Sequence, residues 1–189
     1  MTTIVVARKG TQAVIAADSL TTFGTTRLAP AYDRHPHKVV AYRDSFIGVA
    51  GSAAHQLVLE NLLAKKPDLN LHGKDAIYET FRSLHPLLKD EAFLNPKEEE
   101  DDPYESSQMT LMLVNPSGIY AVYSMREVFE FERYWAIGSG RDFAIGAMYT
   151  TYARAKNALE VAEIGVTAGA EFDTGSSLPA AYRTVKLAK

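Results

Sequence analysis

A threonine stands second in the chain, where removal of Met1 would make it the N-terminal residue. A hydroxyl is a weak nucleophile until a base takes its proton, and the α-amine of an N-terminal threonine can be that base, directly or through a water. The ordinary pKa of an α-amine, about 8, suits proton transfer at neutral pH. Position alone does not make Thr2 catalytic, because first residues are usually poorly ordered and do no chemistry. Other groups must therefore be placed around it.

A carboxylate and an amine are expected beside Thr2. Asp18 ends an apolar run, 13–17, which we predict to pair with a strand over residues 3–7 as an N-terminal hairpin. This pairing returns the carboxylate to the start of the chain, where burial is costly unless the charge is paired. Lys38 opens the next apolar run and is the expected partner, and its charge would keep a nearby α-amine neutral. A stabilising ion pair without a catalytic part is the simpler interpretation of these two residues alone.

Hydrophobic periodicity predicts strands, then two helices, then strands again and two more helices. Predicted strands cover 3–7, 12–18, 38–42, 45–50, 109–114, 119–123, 128–131, 134–137 and 181–187, and predicted helices cover 54–62, 74–92, 141–154 and 157–169. Pro86 is expected to kink or tighten the end of the second helix. This order is typical of two sheets covered by helices on both outer faces. We therefore predict an α+β fold with one domain over residues 1–189, a four-layer αββα sandwich of two antiparallel sheets.

Composition narrows the possible functions. The net charge is −3 without a long basic run, which argues against a nucleic-acid partner. The absence of cysteine excludes disulfides and thiolate chemistry, and makes the cytoplasm the expected location. Five histidines without zinc-type spacing predict no metal site. No signal peptide or membrane-length apolar run is present, so a soluble protein with no membrane partner is expected.

An acidic run, Glu98 to Asp102, lies in a proline-containing stretch from 94 to 107. This stretch has almost nothing to bury and is predicted to be a solvated loop between the two halves of the chain. A docking surface for a partner is the alternative interpretation.

Five short motifs, in order along the chain, together resemble the signature of proteasome β-type subunits. They are Thr2-Thr3-Ile4-Val5, Ala16-Ala17-Asp18, Lys38, Gly48-Val49-Ala50-Gly51-Ser52-Ala53-Ala54 and Ala136-Ile137-Gly138-Ser139-Gly140. Each motif is weak alone, but five in this order, beginning at the N-terminus, are specific, and the resemblance runs nearly from end to end. It is strongest to bacterial members, namely HslV and the shorter homologues of beta-proteobacteria. The resemblance implies the N-terminal nucleophile hydrolase fold.

The resemblance also implies a role for each matching residue. Thr2 resembles the nucleophile, and Asp18 and Lys38 resemble the charged pair that tunes it. Gly51 matches the glycine whose N–H forms the oxyanion hole, and Ser139 matches a serine that hydrogen-bonds near the α-amine. Two further residues, Val49 and Ala53, match substrate-binding positions. Val49 matches the base of the specificity pocket, where it would favour cleavage after apolar side chains.

Three positions depart from the family pattern. The family carries an aspartate near the end of its last helix, and here Glu171 and Asp173 compete for that position. Spacing to Gly175 favours Glu171. His55 stands where family members commonly have an acid, and the segment between residues 18 and 38 is longer than in HslV. These departures affect the substrate pocket and the assembly contacts.

By resemblance, the expected function is that of a threonine-type endopeptidase that acts on peptides or proteins and needs no cofactor. Its expected partners are copies of itself in a stacked double ring of 14 or 12 subunits, with seven-membered rings slightly favoured. Since the sequence has no phosphate-binding loop of the Walker type, any ATP-dependent unfoldase is expected to be a separate protein. Two alternatives stay open. One is an amidase that uses the same nucleophile on a small amide, and the other is a catalytically silent ring subunit.

Overall fold

The computed structural model describes residues 1–97 and 99–188, in which two antiparallel sheets stack face to face. A four-stranded sheet has the order β10-β1-β2-β11, and a five-stranded sheet has the order β5-β6-β7-β8-β9. A separate short hairpin joins β3 and β4. The strands are β1 (Thr3–Lys9), β2 (Gln12–Ala17), β3 (Thr21–Phe23), β4 (Thr26–Leu28), β5 (Val39–Tyr42), β6 (Ser45–Ala50), β7 (Thr110–Asn115), β8 (Gly118–Val122), β9 (Val128–Glu130), β10 (Tyr134–Gly138) and β11 (Ala181–Lys186).

Four helices cover the outer faces of the two sheets. They are α1 (Ala53–Lys65), α2 (Lys74–Asp90), α3 (Arg141–Thr151) and α4 (Ala158–Phe172). The first two pack on the five-stranded sheet, and the last two pack on the four-stranded sheet. Side-chain oxygens cap two of the N-termini: Ser52 accepts from Ala54 N at the start of α1, and Asn157 accepts from Glu160 N at the start of α4.

Strand β1 shows why the chain forms layers. Its side chains alternate, so that Ile4 and Val6 face the second sheet while Val5 and Ala7 face α3 and α4, and all four are fully buried. The central strand of the five-stranded sheet behaves in the same way, with alternate residues directed to α1 and α2 or to the other sheet. Three apolar layers therefore separate four layers of secondary structure. The predicted αββα class is confirmed.

Most predicted elements are confirmed to within three residues, the usual uncertainty of helix and strand ends. The hairpin of β3 and β4 was not predicted, because two three-residue strands are too short to show a period of two. Helix α2 continues through Pro86 to Asp90, so the proline does not end it.

The stretch from 94 to 107 contains no helix or strand among its described residues, and Glu98 of the acidic run lies outside the described residues. The end of this stretch is anchored to α2, because the Glu105 carboxylate lies 2.6 Å from Lys89 Nζ and 3.1 Å from His85 Nε2. Within residues 1–97 and 99–188, no helix has the length and hydropathy needed to cross a membrane.

Candidate active site

Thr2 lies at the start of a central strand, between the ends of two neighbours. Strand β1 pairs with β10 on one side, where Thr3 stands opposite Gly138, and with β2 on the other, where Ile4 stands opposite Ala17. This register brings the residues that follow β10 and β2 to both sides of Thr2. Thr2 itself is only 4% exposed.

Asp18, at the end of β2, is buried and accepts four hydrogen bonds. Lys38 Nζ and Thr3 N lie 2.8 Å and 2.9 Å from Oδ1. Two backbone N–H groups, of Leu20 and Ser177, donate to Oδ2 at 3.0 Å and 3.1 Å. Every lone-pair direction of the carboxylate is thereby used, which makes its burial as an ion tolerable.

Lys38 connects this carboxylate to the start of the chain. Its Nζ lies 3.5 Å from the carbonyl oxygen of Met1, in addition to the ion pair with Asp18. Burial lowers the pKa of the Lys38 amine below its ordinary value, although the charge of Asp18 opposes this shift. The structure therefore brings the two predicted charged residues together within reach of Thr2.

A second polar cluster lies on the other side of Thr2. The Thr2 nitrogen donates to Ser139 Oγ at 3.1 Å, and Ser139 Oγ donates to Asp173 Oδ2 at 2.7 Å. Ser176 Oγ donates to the same carboxylate oxygen at 2.6 Å, and its oxygen lies 2.8 Å from Thr3 Oγ1. The Thr2 nitrogen is a peptide nitrogen while Met1 is attached, and the same atom becomes the α-amine when Met1 is removed.

Asp173 stays ionised at this position because hydroxyl groups surround it. Burial alone would raise the pKa of its carboxyl group, but the hydrogen bonds from Ser176 and Ser139 outweigh burial, and the pKa lies below the ordinary value. Asp173 is therefore a carboxylate that is linked to the Thr2 nitrogen through the Ser139 hydroxyl.

Of the two acids expected to compete for the acidic position, the structure places Asp173 against Ser139, and not Glu171, which spacing favoured. Helix α4 ends at Phe172, and Asp173 has an extended backbone (φ −91°, ψ 122°) that turns its side chain back toward the end of β10. Glu171 is still within the last helical turn, is exposed, and makes no hydrogen bond with the described residues. The end of the helix, rather than spacing to Gly175, decides which acid reaches the site.

Gly51 follows β6 directly and has φ 140°, a conformation that residues with a side chain rarely adopt. An added Cβ would also lie 3.2 Å from Nδ1 of His55, which packs behind this glycine. That Nδ1 is buried without a hydrogen-bond partner among the described residues, and burial lowers the pKa of His55. The backbone conformation therefore favours glycine here, and the histidine ring would have to shift to accept a larger residue.

A cleft of about 240 Å³ opens beside Thr2. The two residues predicted to bind substrate, Val49 and Ala53, both line it, as do Gly51 and Lys38. Val49 is nearly buried, whereas Ala53, the first residue of α1, is exposed. The cleft therefore has an apolar wall near the hydroxyl of Thr2.

A larger cavity lies elsewhere in the described chain. It has a volume of about 520 Å³ and lies between residues 42–45 and residues 69–72. None of the side chains grouped around Thr2 lines it. Because Thr2 and Lys38 line the smaller cleft and not this cavity, the smaller cleft is the candidate active site.

Sequence reasoning missed two polar members of the site, Ser176 and Thr3. Ser176 is buried in the turn after α4, where its N–H donates to the Asp173 carbonyl at 3.1 Å, so its position after a candidate aspartate was the available signal. Among the described residues, no group of three or more His, Asp or Glu side chains could hold a metal ion. The arrangement as it stands offers a hydroxyl, a nitrogen held by Ser139, a lysine amine and a glycine N–H at one cleft.

Comparison with solved structures finds similar chains of known family. The chain is similar to BPH, a bacterial proteasome homologue, from Thiobacillus denitrificans, in a structure described as a complex with epoxomicin: identity is 33%, the TM-score is 0.92, and 99% of this chain and 100% of that chain are covered. A second BPH structure from that organism gives 34% identity, a TM-score of 0.92 and 98% coverage of both chains. HslV from Trypanosoma brucei shares the fold, at 21% identity and TM-score 0.71, with 97% of this chain and 99% of that chain covered. No family model and no curated protein matches the chain.

Proposed function

The chain belongs to the proteasome β-type and HslV-like family of threonine peptidases, and we propose that its nucleophile is the Thr2 hydroxyl, made N-terminal by removal of Met1. It is a threonine-type endopeptidase subunit of the proteasome-like kind. One observation carries the proposal for Thr2: Ser139 Oγ lies between the Thr2 nitrogen and the Asp173 carboxylate, at 3.1 Å and 2.7 Å. A terminal threonine needs such a partner to hold its amine toward its own hydroxyl.

The first step is attack on the substrate. The Thr2 oxygen forms a bond to the carbonyl carbon of the scissile peptide, while the α-amine takes the hydroxyl proton, directly or through a water. The Ser139 hydroxyl donates its hydrogen bond to Asp173, and so its oxygen is left to accept from the amine, which keeps the nitrogen lone pair available for the hydroxyl proton. Lys38, 2.8 Å from Asp18, adds a positive charge that favours a neutral amine and stabilises developing negative charge on oxygen.

The second step is collapse of the tetrahedral intermediate. Its negative oxygen would be stabilised by the N–H of Gly51, which has the backbone freedom and the position at the cleft that this role requires. The C–N bond then breaks, the amine passes its proton to the leaving nitrogen, and an ester joins the acyl group to Thr2. A water, deprotonated by the same amine, hydrolyses this ester and restores the hydroxyl.

Removal of Met1 would prepare the site in two ways. It turns the Thr2 nitrogen from an amide into a basic amine, and it uncovers the cleft that the Met1 side chain lines, beside Gly175.

The proposed specificity is for apolar side chains, since Val49 and Ala53 supply the apolar wall.

The chain assembles with copies of itself. Exposed aromatic pairs support this, for example Phe143 and Phe172, which are 46% and 67% exposed and whose ring centroids lie 5.6 Å apart. The finer proposal is a stacked double ring of seven-membered rings, with six-membered rings as the alternative. Fourteen copies of the 20.8 kDa chain give about 291 kDa and twelve give about 250 kDa, masses that native mass spectrometry separates. The proposed unfolding partner is a separate ATPase.

Peptide hydrolysis by the purified protein tests the proposed function. Thr2→Ala should reduce hydrolysis to the background rate, whereas Thr2→Ser, which keeps a hydroxyl and an amine, should retain part of it. Equal rates for Thr2→Ala and the wild type would refute the role of Thr2. Hydrolysis of small amides without any peptide cleavage would point instead to an amidase.

A further inference from the structure

We infer that Gln56 selects substrates through its side-chain oxygen, which favours cleavage after a residue with an apolar body and a neutral hydrogen-bond donor at its tip. Tyrosine is the type of residue that fits this description. The inference deepens the proposed function and rests on it, because it concerns the side chain held in the cleft beside Thr2.

The direction of the Gln56 amide is fixed by its two partners. Nε2 donates to the carbonyl oxygen of His37 at 2.8 Å and to Glu60 Oε1 at 2.9 Å. A carbonyl and a carboxylate can only accept hydrogen bonds. The reversed amide would place its oxygen against both acceptors, so the nitrogen must point toward His37 and Glu60, neither of which lines the cleft.

The amide oxygen is therefore the free end of the side chain. Gln56 is partly buried, and its oxygen is neither hydrogen-bonded to a described residue nor among the buried atoms that lack a partner. This oxygen must then be in contact with solvent. Since Gln56 is one of the residues that line the Thr2 cleft, we place the oxygen on the cleft wall as an unused acceptor.

The rest of the cleft decides which donor would use this oxygen. Leu20, Val49 and Ala53 supply apolar surface, and Lys38 is the charged side chain that lines the cleft. Lys38 repels a cationic substrate tip, which disfavours lysine and arginine. A carboxylate tip has no proton to give to the Gln56 oxygen. A substrate side chain with an apolar body and a neutral hydroxyl or N–H at its end is not repelled by Lys38 and has a proton to donate to the Gln56 oxygen.

Matched peptide substrates test the inference directly. Three peptides differ only in the residue on the acyl side of the cleaved bond, which is tyrosine, phenylalanine or O-methyltyrosine. The expected kcat/KM is about 3- to 10-fold higher for tyrosine than for phenylalanine, the effect of one neutral hydrogen bond. O-Methyltyrosine keeps the oxygen but has no proton to donate, and should be no better than phenylalanine.

The variant Gln56→Met removes the acceptor at similar side-chain length. It also removes the hydrogen bond to His37, next to Lys38, which should lower kcat/KM for all three peptides alike. The ratio of tyrosine to phenylalanine isolates the substrate contact, and it should fall to about 1. Glu60→Gln is the control, because it keeps an oxygen for Nε2 and should leave the ratio at its wild-type value.

The possible results separate the two claims. Cleavage of the peptides by the wild type with a tyrosine-to-phenylalanine ratio of 1 or less overturns the inference and leaves the proposed function standing. The same holds if Gln56→Met keeps the wild-type ratio. Failure to cleave any of the three peptides overturns both.

Discussion

Replacing Lys38 by methionine should destabilise the protein strongly, because it leaves the Asp18 carboxylate buried without its counter-ion. The Asp18 side chain is 0% exposed and that of Lys38 is 11% exposed, so water can replace very little of the lost interaction. Removal of one partner from a buried ion pair typically costs about 3–5 kcal/mol. Asp18 keeps three backbone N–H donors, of Thr3, Leu20 and Ser177, which places the expected loss near the lower limit, about 3 kcal/mol.

Thermal unfolding followed by fluorescence measures this loss. The single tryptophan, Trp135, lies on β10 and stacks on Phe131, so its emission reports the packing between the sheets. A loss of 3 kcal/mol corresponds to a fall in Tm of roughly 6–12 °C for a domain of this size. Protein concentration must be the same for all variants, since assembly contributes to the apparent stability.

Lys65→Met is the matched control. Lys65 also pairs with a carboxylate, at 3.8 Å from Glu91, but both side chains are more than half exposed. Its replacement should change the free energy of unfolding by no more than about 0.5 kcal/mol. Equal effects of the two substitutions, or a Lys38→Met effect below about 1 kcal/mol, would refute the argument that Asp18 is an ion held by a buried counter-charge.

Three further changes test other parts of the account. Ser176→Ala removes a donor from Asp173 and should raise the pKa of that carboxyl group toward its ordinary value. A lowered carboxyl pKa contributes stability that is lost as the pH falls, so in acid denaturation the variant should lose less stability than the wild type below about pH 4, and an equal loss would contradict this. Lys9→Met removes the amine that donates to the carbonyl oxygens of Tyr152 and Ala155 beyond the end of α3. The free energy of unfolding, measured by chemical denaturation, should fall by about 2 kcal/mol. A fall near zero would show that water replaces the lysine at these carbonyl groups. Burial lowers the pKa of His55, so below pH 6.5 the unfolded chain takes up a proton more readily than the folded protein, and the free energy of unfolding decreases as the pH decreases. In His55→Leu this decrease between pH 7 and 5.5 should be shallower, by well under the roughly 1.4 kcal/mol per pH unit of one fully linked proton. An identical slope in the variant and the wild type would count against this role of His55.

The layered fold could be predicted from the sequence because its strands are buried on both faces and its helices carry one apolar face. Runs such as 3–7 and 13–17 therefore stand out against their turns. The hairpin of β3 and β4 could not be found in this way, since three residues show no periodicity. Whether a strand or helix could be predicted from the sequence therefore depended on its length, because a short element does not show a periodic pattern.

The sequence predicts those residues of the candidate site that directly follow a strand paired with β1, because strand pairing brings them close to Thr2. The hairpin register places Asp18 beside the N-terminus, and a strand end places Ser139 there. The choice between Glu171 and Asp173 depends on where α4 ends, a boundary that periodicity does not define to one residue. The direction of the Gln56 amide depends on Glu60, one helical turn away, and on the His37 carbonyl, which lies outside the helix and which no local pattern places there.

Intact mass spectrometry with a peptide epoxyketone tests the central claim most directly, because this reagent reacts with both the hydroxyl and the free amine of an N-terminal threonine. If Thr2 is the nucleophile, the subunit should lack Met1 and gain one adduct, mapped to Thr2 by peptide digestion and absent in Thr2→Ala. Peptide hydrolysis by a subunit that retains Met1 and forms no adduct would contradict it.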